Sequence, residues 1–316
     1  MSTRRERGVA LITALLVVAV AATAATGMIW REHLAIRRTQ NVIARDQAWL
    51  YAQAAEAVAI VLLDQDRRNS RVDGLSERWA GILPPIEVGA AEIQLAISDL
   101  QGRFNLNALA ATGDESTAQA AAQQFRRLLA SLHPAYSIGL EAALADWLDA
   151  DLKPRFPGGA EGDVYSRLDP PYEAANRLML VPSELRLVAG IDAATYRALG
   201  PFVTALPDSA ATLNVNTAPP AVLRSLVATT SAQGLEAALA LRQKQPWDSV
   251  QAFLQALPAA TAAAIDPQLL GVASEYFLVH ARVRLDRARL SLYSVVHRPR
   301  PQQAPIRVIY RSLARP

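Results

Sequence analysis

Six carboxylates gather in one short stretch: Asp146, Asp149, Asp151, Glu161, Asp163 and Asp169, with Gly158, Gly159 and Gly162 among them. Calcium takes several hard oxygen ligands at ~2.3–2.6 Å, on a loop flexible enough to wrap it. Asp149 and Asp151, two apart on a loop, can face one ion, and the glycine-rich turn can fold Glu161 and Asp163 back to them. The spacing is not that of an EF-hand loop, and a solvated acidic loop accounts for it equally well. Covalent catalysis has less to work with. There is no Cys, which removes disulfides, thiolate metal sites and thiol nucleophiles. The imidazoles are His33, His133, His280 and His297, and none sits in a Ser/Asp or metal motif. No glycine loop of the phosphate-binding kind is present. The residues therefore argue against an enzyme.

Leu187-Val-Ala-Gly-Ile-Asp192 between two helical patterns resembles a helix-hairpin-helix turn, which presents backbone N–H groups to a DNA phosphate. The flanking helices lack a Lys/Arg cluster, so a tight turn permitted by Gly190 between packed helices is the preferred reading, and no nucleic acid is expected. The whole chain is equally uncommitted. Its 316 residues carry 32 basic and 29 acidic side chains, a net charge of +3.

The elements that would position these residues are legible in their periodicity. Val9–Trp30 runs for about 22 residues without a charge, enough at ~1.5 Å per residue to span a bilayer. No Pro or Gly interrupts Arg31–Arg67, where Leu34, Val42, Trp49, Val58 and Leu62 recur at roughly helical spacing. One continuous helix is predicted, apolar all round at first and amphipathic later. Asn69–Val88, with Gly74, Gly81 and Pro84-Pro85, reads as a loop. Ala91–Leu100 alternates as a half-buried strand, as do Tyr276–Leu285, Leu290–His297 and Ile306–Arg311. These make one antiparallel sheet whose apolar face needs the long helix as cover. Between the first strand and the rest, about Asn105–Ala273 reads as helical. Segments at Ala118–Leu132, Gly139–Leu148, Ser183–Val188, Tyr196–Leu206, Pro220–Val227, Leu235–Gln243 and Ser249–Leu257 carry that pattern. Two similar phrases bracket it, Phe104-Asn-Leu-Asn-Ala-Leu109 and Leu213-Asn-Val-Asn-Thr-Ala218, each with an Asn able to cap the helix that follows.

The polar leader Met1–Gly8, with its small residue ahead of the apolar segment, resembles that of type IV pilin-like proteins. That resemblance implies cleavage between Gly8 and Val9 by a prepilin peptidase on the cytoplasmic side, and methylation of the Val9 amine. Pilin-like subunits usually carry Glu at the fifth mature position, which here is Thr13. Asp99-Leu-Gln-Gly-Arg-Phe-Asn-Leu-Asn-Ala-Leu109, Trp147-Leu-Asp-Ala-Asp151, Pro170-Pro-Tyr172, Asn176, Glu184-Leu-Arg-Leu-Val-Ala-Gly190 and Leu213-Asn-Val-Asn-Thr-Ala218 together resemble the minor pseudopilin K family of type II secretion systems, in which that Glu is absent.

The resemblance implies an α+β subunit. A leader (1–8) precedes the transmembrane half of the helix (9–30). The soluble half of the helix, a loop and the first strand follow (31–104). An inserted helical domain (105–273) separates these from the C-terminal strands (274–316). It implies a single-pass inner-membrane protein of a Gram-negative bacterium, its N-terminus cytoplasmic and its bulk periplasmic. It places the subunit at the tip of a pseudopilus, initiating or capping assembly with other minor pseudopilins and supporting protein export across the outer membrane. Secreted substrate proteins are candidate further partners. It also implies structural calcium at Asp149, Asp151, Glu161 and Asp163, although the family's Gly-Ala-Glu-Asp is here Gly159-Ala-Glu-Gly162. The alternative is a DNA-binding competence-type pseudopilin.

Overall fold

Helix α1 (Thr3–Asn69) is 67 residues long, roughly 100 Å at ~1.5 Å per residue. It belongs to a computed structural model that describes residues 3–110, 115–133, 138–228, 233–300 and 303–315, without the side chains of 3–11 and Gln233. Its N-terminal part is apolar and long enough to cross a membrane. The side chains of Ile12, Leu16, Val20 and Trp30 are exposed there, as a lipid-facing surface requires.

The C-terminal part of α1 is covered. Ala48, Ala52, Ala55, Ala59 and Leu63 form a stripe at helical spacing and are fully buried or nearly so. Small side chains there let the helix lie close against a five-stranded antiparallel sheet. The sheet is β1 (Ile86–Val88), β2 (Ala91–Asp99), β7 (Tyr276–Leu285), β8 (Ala288–His297) and β9 (Arg307–Ser312), in that spatial order. Ile93, Leu95 and Ile97 of β2 and Phe277, Val279, Ala281 and Val283 of β7 face the helix, as their alternation requires. Burying each larger one stabilises by roughly 1.5–3 kcal/mol over leaving it in water. Glu56, buried on the same helix face, clamps the far side of the sheet. It accepts hydrogen bonds from Ser294 Oγ at 2.5 Å and from Arg311 Nε and Nη2 at 2.8 and 2.7 Å.

β2 and β7 are sheet neighbours, with Asp99 opposite Phe277, yet 177 residues separate those two partners. The insertion between them builds its own core around Phe104, Phe125, Leu144, Trp147, Tyr165, Val222 and Phe253. Its helices are α2 (Glu115–Leu132), α3 (Leu140–Leu148), α4 (Gly162–Tyr165), α5 (Ala193–Leu199), α6 (Pro220–Ser225), α7 (Gln233–Lys244), α8 (Val250–Gln255) and α9 (Ala259–Ala263). It also contains two short parallel ladders. β3 (Phe104–Asn105) pairs with β4 (Val203–Thr204), and β5 (Leu213–Asn214) with β6 (Leu270–Gly271).

Several sequence expectations are corrected by these elements. Tyr196–Leu206 is not one helix: α5 stops at Gly200-Pro201, where Pro201 has no N–H to continue the ladder, and Val203–Thr204 then joins Phe104–Asn105. Ser183–Val188 falls in a 3₁₀ turn, Pro182–Leu187. The expected loop Asn69–Val88 ends in β1, paired with the start of β2. The two Asn-x-Asn phrases act differently from simple helix caps. Asn105 Oδ1 does accept from Asn107 N at 3.3 Å, capping a 3₁₀ turn. Asn107 itself reaches across the insertion, accepting from Met179 N and donating to Met179 O, both at 2.9 Å. Asn216 repeats that clamp on Trp247 N and O, at 2.7 and 3.0 Å, while α6 starts at Pro220, after Pro219, without a side-chain cap.

The insertion meets the head at the C-terminal end of α1. The opposite end of the sheet, at the β7–β8 turn, lies beside Asn41 and Arg45 of the helix, nearer the apolar segment. The inserted mass is therefore carried at the end of the head remote from that segment.

Candidate functional site

The acidic loop follows α3. Asp149 closes that helix, its N–H bonded to Ala145 O, and the chain then loops through 151–161 before α4. Gly139 (φ +91°) and Gly158 (φ +88°) make the fold of the loop possible. A Cβ on Gly158 would lie 2.8 Å from Gly139 Cα. This approach returns Glu161 to α3. One carboxylate oxygen from each of Asp149, Asp151 and Glu161 lies within 4.8 Å of the others.

Both carboxylate oxygens of Glu161 are buried and make no hydrogen bond to a described residue. Burial, then the charges of Asp146, Asp149, Asp151 and Asp163, push its carboxyl up to about 7. Asp149 is raised too, by burial first, against the opposing charge of Arg155, whose Nη2 lies 2.9 Å from Asp149 Oδ2. Asp146, fully buried, accepts from Arg155 N at 3.1 Å and supports the loop from beneath. Asp151 is exposed and accepts from Lys153 N at 2.8 Å. Asp163 stands apart from the grouping, in the first turn of α4, its Oδ2 3.8 Å from Arg167 Nη2. Three hard carboxylates grouped around the buried, unbonded oxygens of Glu161 suit a calcium ion. Arg155, which the sequence did not single out, is the internal cation that offsets them.

A second constellation escaped sequence reasoning. Where α1, β2, β7 and the insertion meet, Arg298 Nη2 donates to Asp73 Oδ1 and Oδ2 at 2.5 and 2.6 Å, and Nη1 to Asp66 Oδ2 at 2.9 Å. The guanidinium also lies 4.5 Å above the Phe277 ring. Beside it, Asp99 Oδ2 accepts from Thr217 Oγ1, Ser274 Oγ and Asn214 Nδ2, at 2.5, 2.6 and 3.1 Å, and Oδ1 from Gln101 N at 2.8 Å. Burial nevertheless pushes the Asp99 carboxyl up to about 6. These groups join head and insertion, and the Asp99-Leu-Gln and Asn-Val-Asn phrases were their only sequence trace.

The Leu187–Asp192 turn is packed inward. Gly190 has φ +81°, and a Cβ there would lie 2.7 Å from Leu140 Cδ2 of α3. Asp192 Oδ1 caps α5 by accepting from Thr195 N at 2.7 Å. Arg186 stacks over Tyr196. The histidines are equally occupied on the sheet: His280 stacks on Tyr293 at 4.2 Å and His297 on Tyr276 at 4.7 Å. At the N-terminus, Gly8 and Val9 lie on the backbone of α1, the Val9 side chain being outside the described part, while Thr13 is on the exposed apolar helix.

Comparison with known proteins places the arrangement in context. Two stretches match protein K of the type II secretion system: 102–208, its first domain, and 213–273. A type II secretion system protein K of Klebsiella pneumoniae is 37% identical over 305 residues, covering 93% of both chains. The chain belongs to the type II secretion system protein K family. Protein K of Pseudomonas aeruginosa is 45% identical over 232 residues, 71% of this chain and 68% of its own. A chain in the crystal structure of the GspK–GspI–GspJ complex from enterotoxigenic Escherichia coli superposes with a TM-score of 0.75 at 26% identity. That match covers 88% of this chain and all of the other. Membership makes this protein a minor pseudopilin of a Gram-negative type II secretion system, a component of protein transport. Its N-terminal apolar helix, the one such helix among the described residues, fits a single-pass anchor. The boundary between the two family domains falls at 208–213, directly before the second Asn-x-Asn phrase.

Proposed function

We propose that this subunit occupies the tip of the pseudopilus, where it initiates or caps assembly with two other minor pseudopilins. The observation that carries the reading is the position of the insertion, at the end of α1 remote from the apolar segment. Mass carried there obstructs stacking of a further subunit above, whereas the exposed helix below is free to pack. Thr13 supports the same placement. A carboxylate in an apolar helix is costly unless paired, and a terminal subunit has no neighbour above whose ammonium would pair with it. The related GspK is found in a complex with GspI and GspJ, which supports a ternary tip complex here too.

Maturation follows the pilin-like route in this reading. The prepilin peptidase cuts between Gly8 and Val9 and the new amine is methylated, with the N-terminus cytoplasmic and the bulk periplasmic. Asp149, Asp151 and Glu161 hold a calcium ion that ties the loop to α3, with Asp163 close by in sequence to add an outer ligand. The ion neutralises the cluster and takes no part in a reaction; the protein assembles and does not turn over a substrate. DNA binding is not favoured, because the hairpin turn is used up in packing on α3. Co-expression of the full chain with the two cognate minor pseudopilins, followed by affinity purification in detergent, tests the assignment. A stoichiometric ternary complex is expected. Recovery of the full chain alone, with both partners present and folded, would overturn it.

A further inference from the structure

A cleft of about 260 Å³ opens where the insertion leans on the outer face of the sheet. Leu100, Leu278 and Val295 form one wall, Tyr196 and Pro201 of the α5–β4 corner the other. Arg103, Arg197 and Arg315 also line it, and no carboxylate does so among the described residues.

Arg103 is the informative group. Its backbone is fixed on both sides, by Arg103 N to Leu100 O at 3.1 Å and Phe104 N to Phe202 O at 2.9 Å. Gly102 before it lies against the Thr217 turn, so closely that a Cβ would meet Thr217 Oγ1 at 2.7 Å. The side chain is thus aimed into the cleft, half-buried. It forms no hydrogen bond or ion pair with a described residue. Burial, then the neighbouring Arg315 charge, push its pKa down, and the one opposing charge is Asp99. Asp99 is already engaged by Ser274, Thr217 and Asn214. A desolvated cation without a counter-ion is costly, and buried charges are ordinarily paired. A guanidinium is also the group best shaped to take a carboxylate through two parallel hydrogen bonds.

We propose that this cleft binds an acidic side chain of a partner polypeptide, flanked in that partner by a large apolar residue. The carboxylate pairs with Arg103, while the apolar residue packs between Leu278, Val295 and Tyr196. Arg197 and Arg315, both exposed, draw the acidic segment in. A polypeptide is the occupant, not a free small acid, because the cleft is smaller than the ~300–1,000 Å³ typical of small-molecule pockets and holds one or two side chains. The inference does not depend on the tip position.

The test uses full-length protein in detergent micelles and a fluorescein-labelled hexapeptide, Ala-Leu-Glu-Leu-Phe-Ala amide, followed by fluorescence anisotropy. Saturable binding that weakens with salt is expected. Replacing Glu by Gln in the peptide should weaken it about tenfold or more, and so should Arg103→Met in the protein. Methionine keeps the apolar stem and removes the unpaired charge, so the melting temperature should hold or rise. Arg315→Gln, at an exposed position, should weaken binding severalfold and serves if Arg103→Met does not fold. Absence of saturable binding overturns the proposal, as does equal affinity for the Gln peptide or unchanged affinity in the folded Arg103 and Arg315 variants. Displacement of the peptide by 4-phenylbutyrate at equal or lower concentration would overturn the choice of a polypeptide.

Discussion

Asp99 receives four hydrogen bonds at the junction of head and insertion, yet its carboxyl is held at about 6 by burial. That value lies above the ~3.9 of an unfolded aspartate, so the folded state binds its proton more tightly. Its contribution to stability is complete below about pH 4 and is lost as pH rises through about 6. Asp66, raised to about 7 by burial and then by the Glu77 charge, acts with the same sign. Glu56 acts in the opposite sense. Burial raises it, but Arg311 and Ser294 more than offset that and leave it below its usual range, so its contribution is lost only in more acid solution. Stability should therefore fall by an amount on the order of 1–3 kcal/mol between pH 5 and pH 7.5, and the melting temperature with it. Asp99→Asn should flatten that slope. Melts followed by circular dichroism at several pH values check it, and a melting temperature that rises over this window would contradict the titration. Beyond the Asp99-Leu-Gln and Asn-Val-Asn phrases this network was not legible in the sequence, because Asp66, Asp73, Asp99, Ser274 and Arg298 are scattered along the chain. Only the fold brings them together. The Asn-x-Asn phrases were visible, but a helix cap was the nearest local explanation. Clamping Met179 and Trp247 required knowledge of which distant backbone would be left unpaired.

At the scale of elements, the strands were the most legible part. Tyr276–Leu285 has the bounds its alternation predicts, and Ala91–Asp99 ends one residue short of expectation, since period-2 patterning is strict wherever one sheet face is buried. The long helix was legible for the opposite reason: nothing in it breaks. Short helices of the insertion were less so. Pro182–Leu187 and Ala193–Leu199 are held by Glu184 accepting from Leu180 N and by the Asp192 cap, and their ends by tertiary pairing that periodicity does not report. The acidic loop is folded by the Gly139–Gly158 approach and loaded with like charges. With calcium, Asp149, Asp151 and Glu161 should tie it to α3. Without it, Arg155 is the cation that opposes them among the described residues. Millimolar calcium should raise the melting temperature of the full chain by several degrees over chelator, and Glu161→Gln should abolish most of the response. Identical melts in calcium and chelator, together with no metal by elemental analysis, would remove the site.

The whole molecule divides its labour along α1. One end is an apolar rod long enough to cross a membrane. The other carries a sheet, clamped by Glu56 and Arg311, and beyond it the insertion, locked on by the Arg298 and Asp99 groups. β2 and β7 are adjacent despite the insertion between them, so the added mass lies outside the pairing of the sheet. In the function proposed above, a subunit built this way ends a fibre. The direct test is immunogold labelling of isolated pseudopili with antibody raised against the insertion. Label confined to one end of each fibre is the predicted result. Label distributed along the shaft would contradict the account.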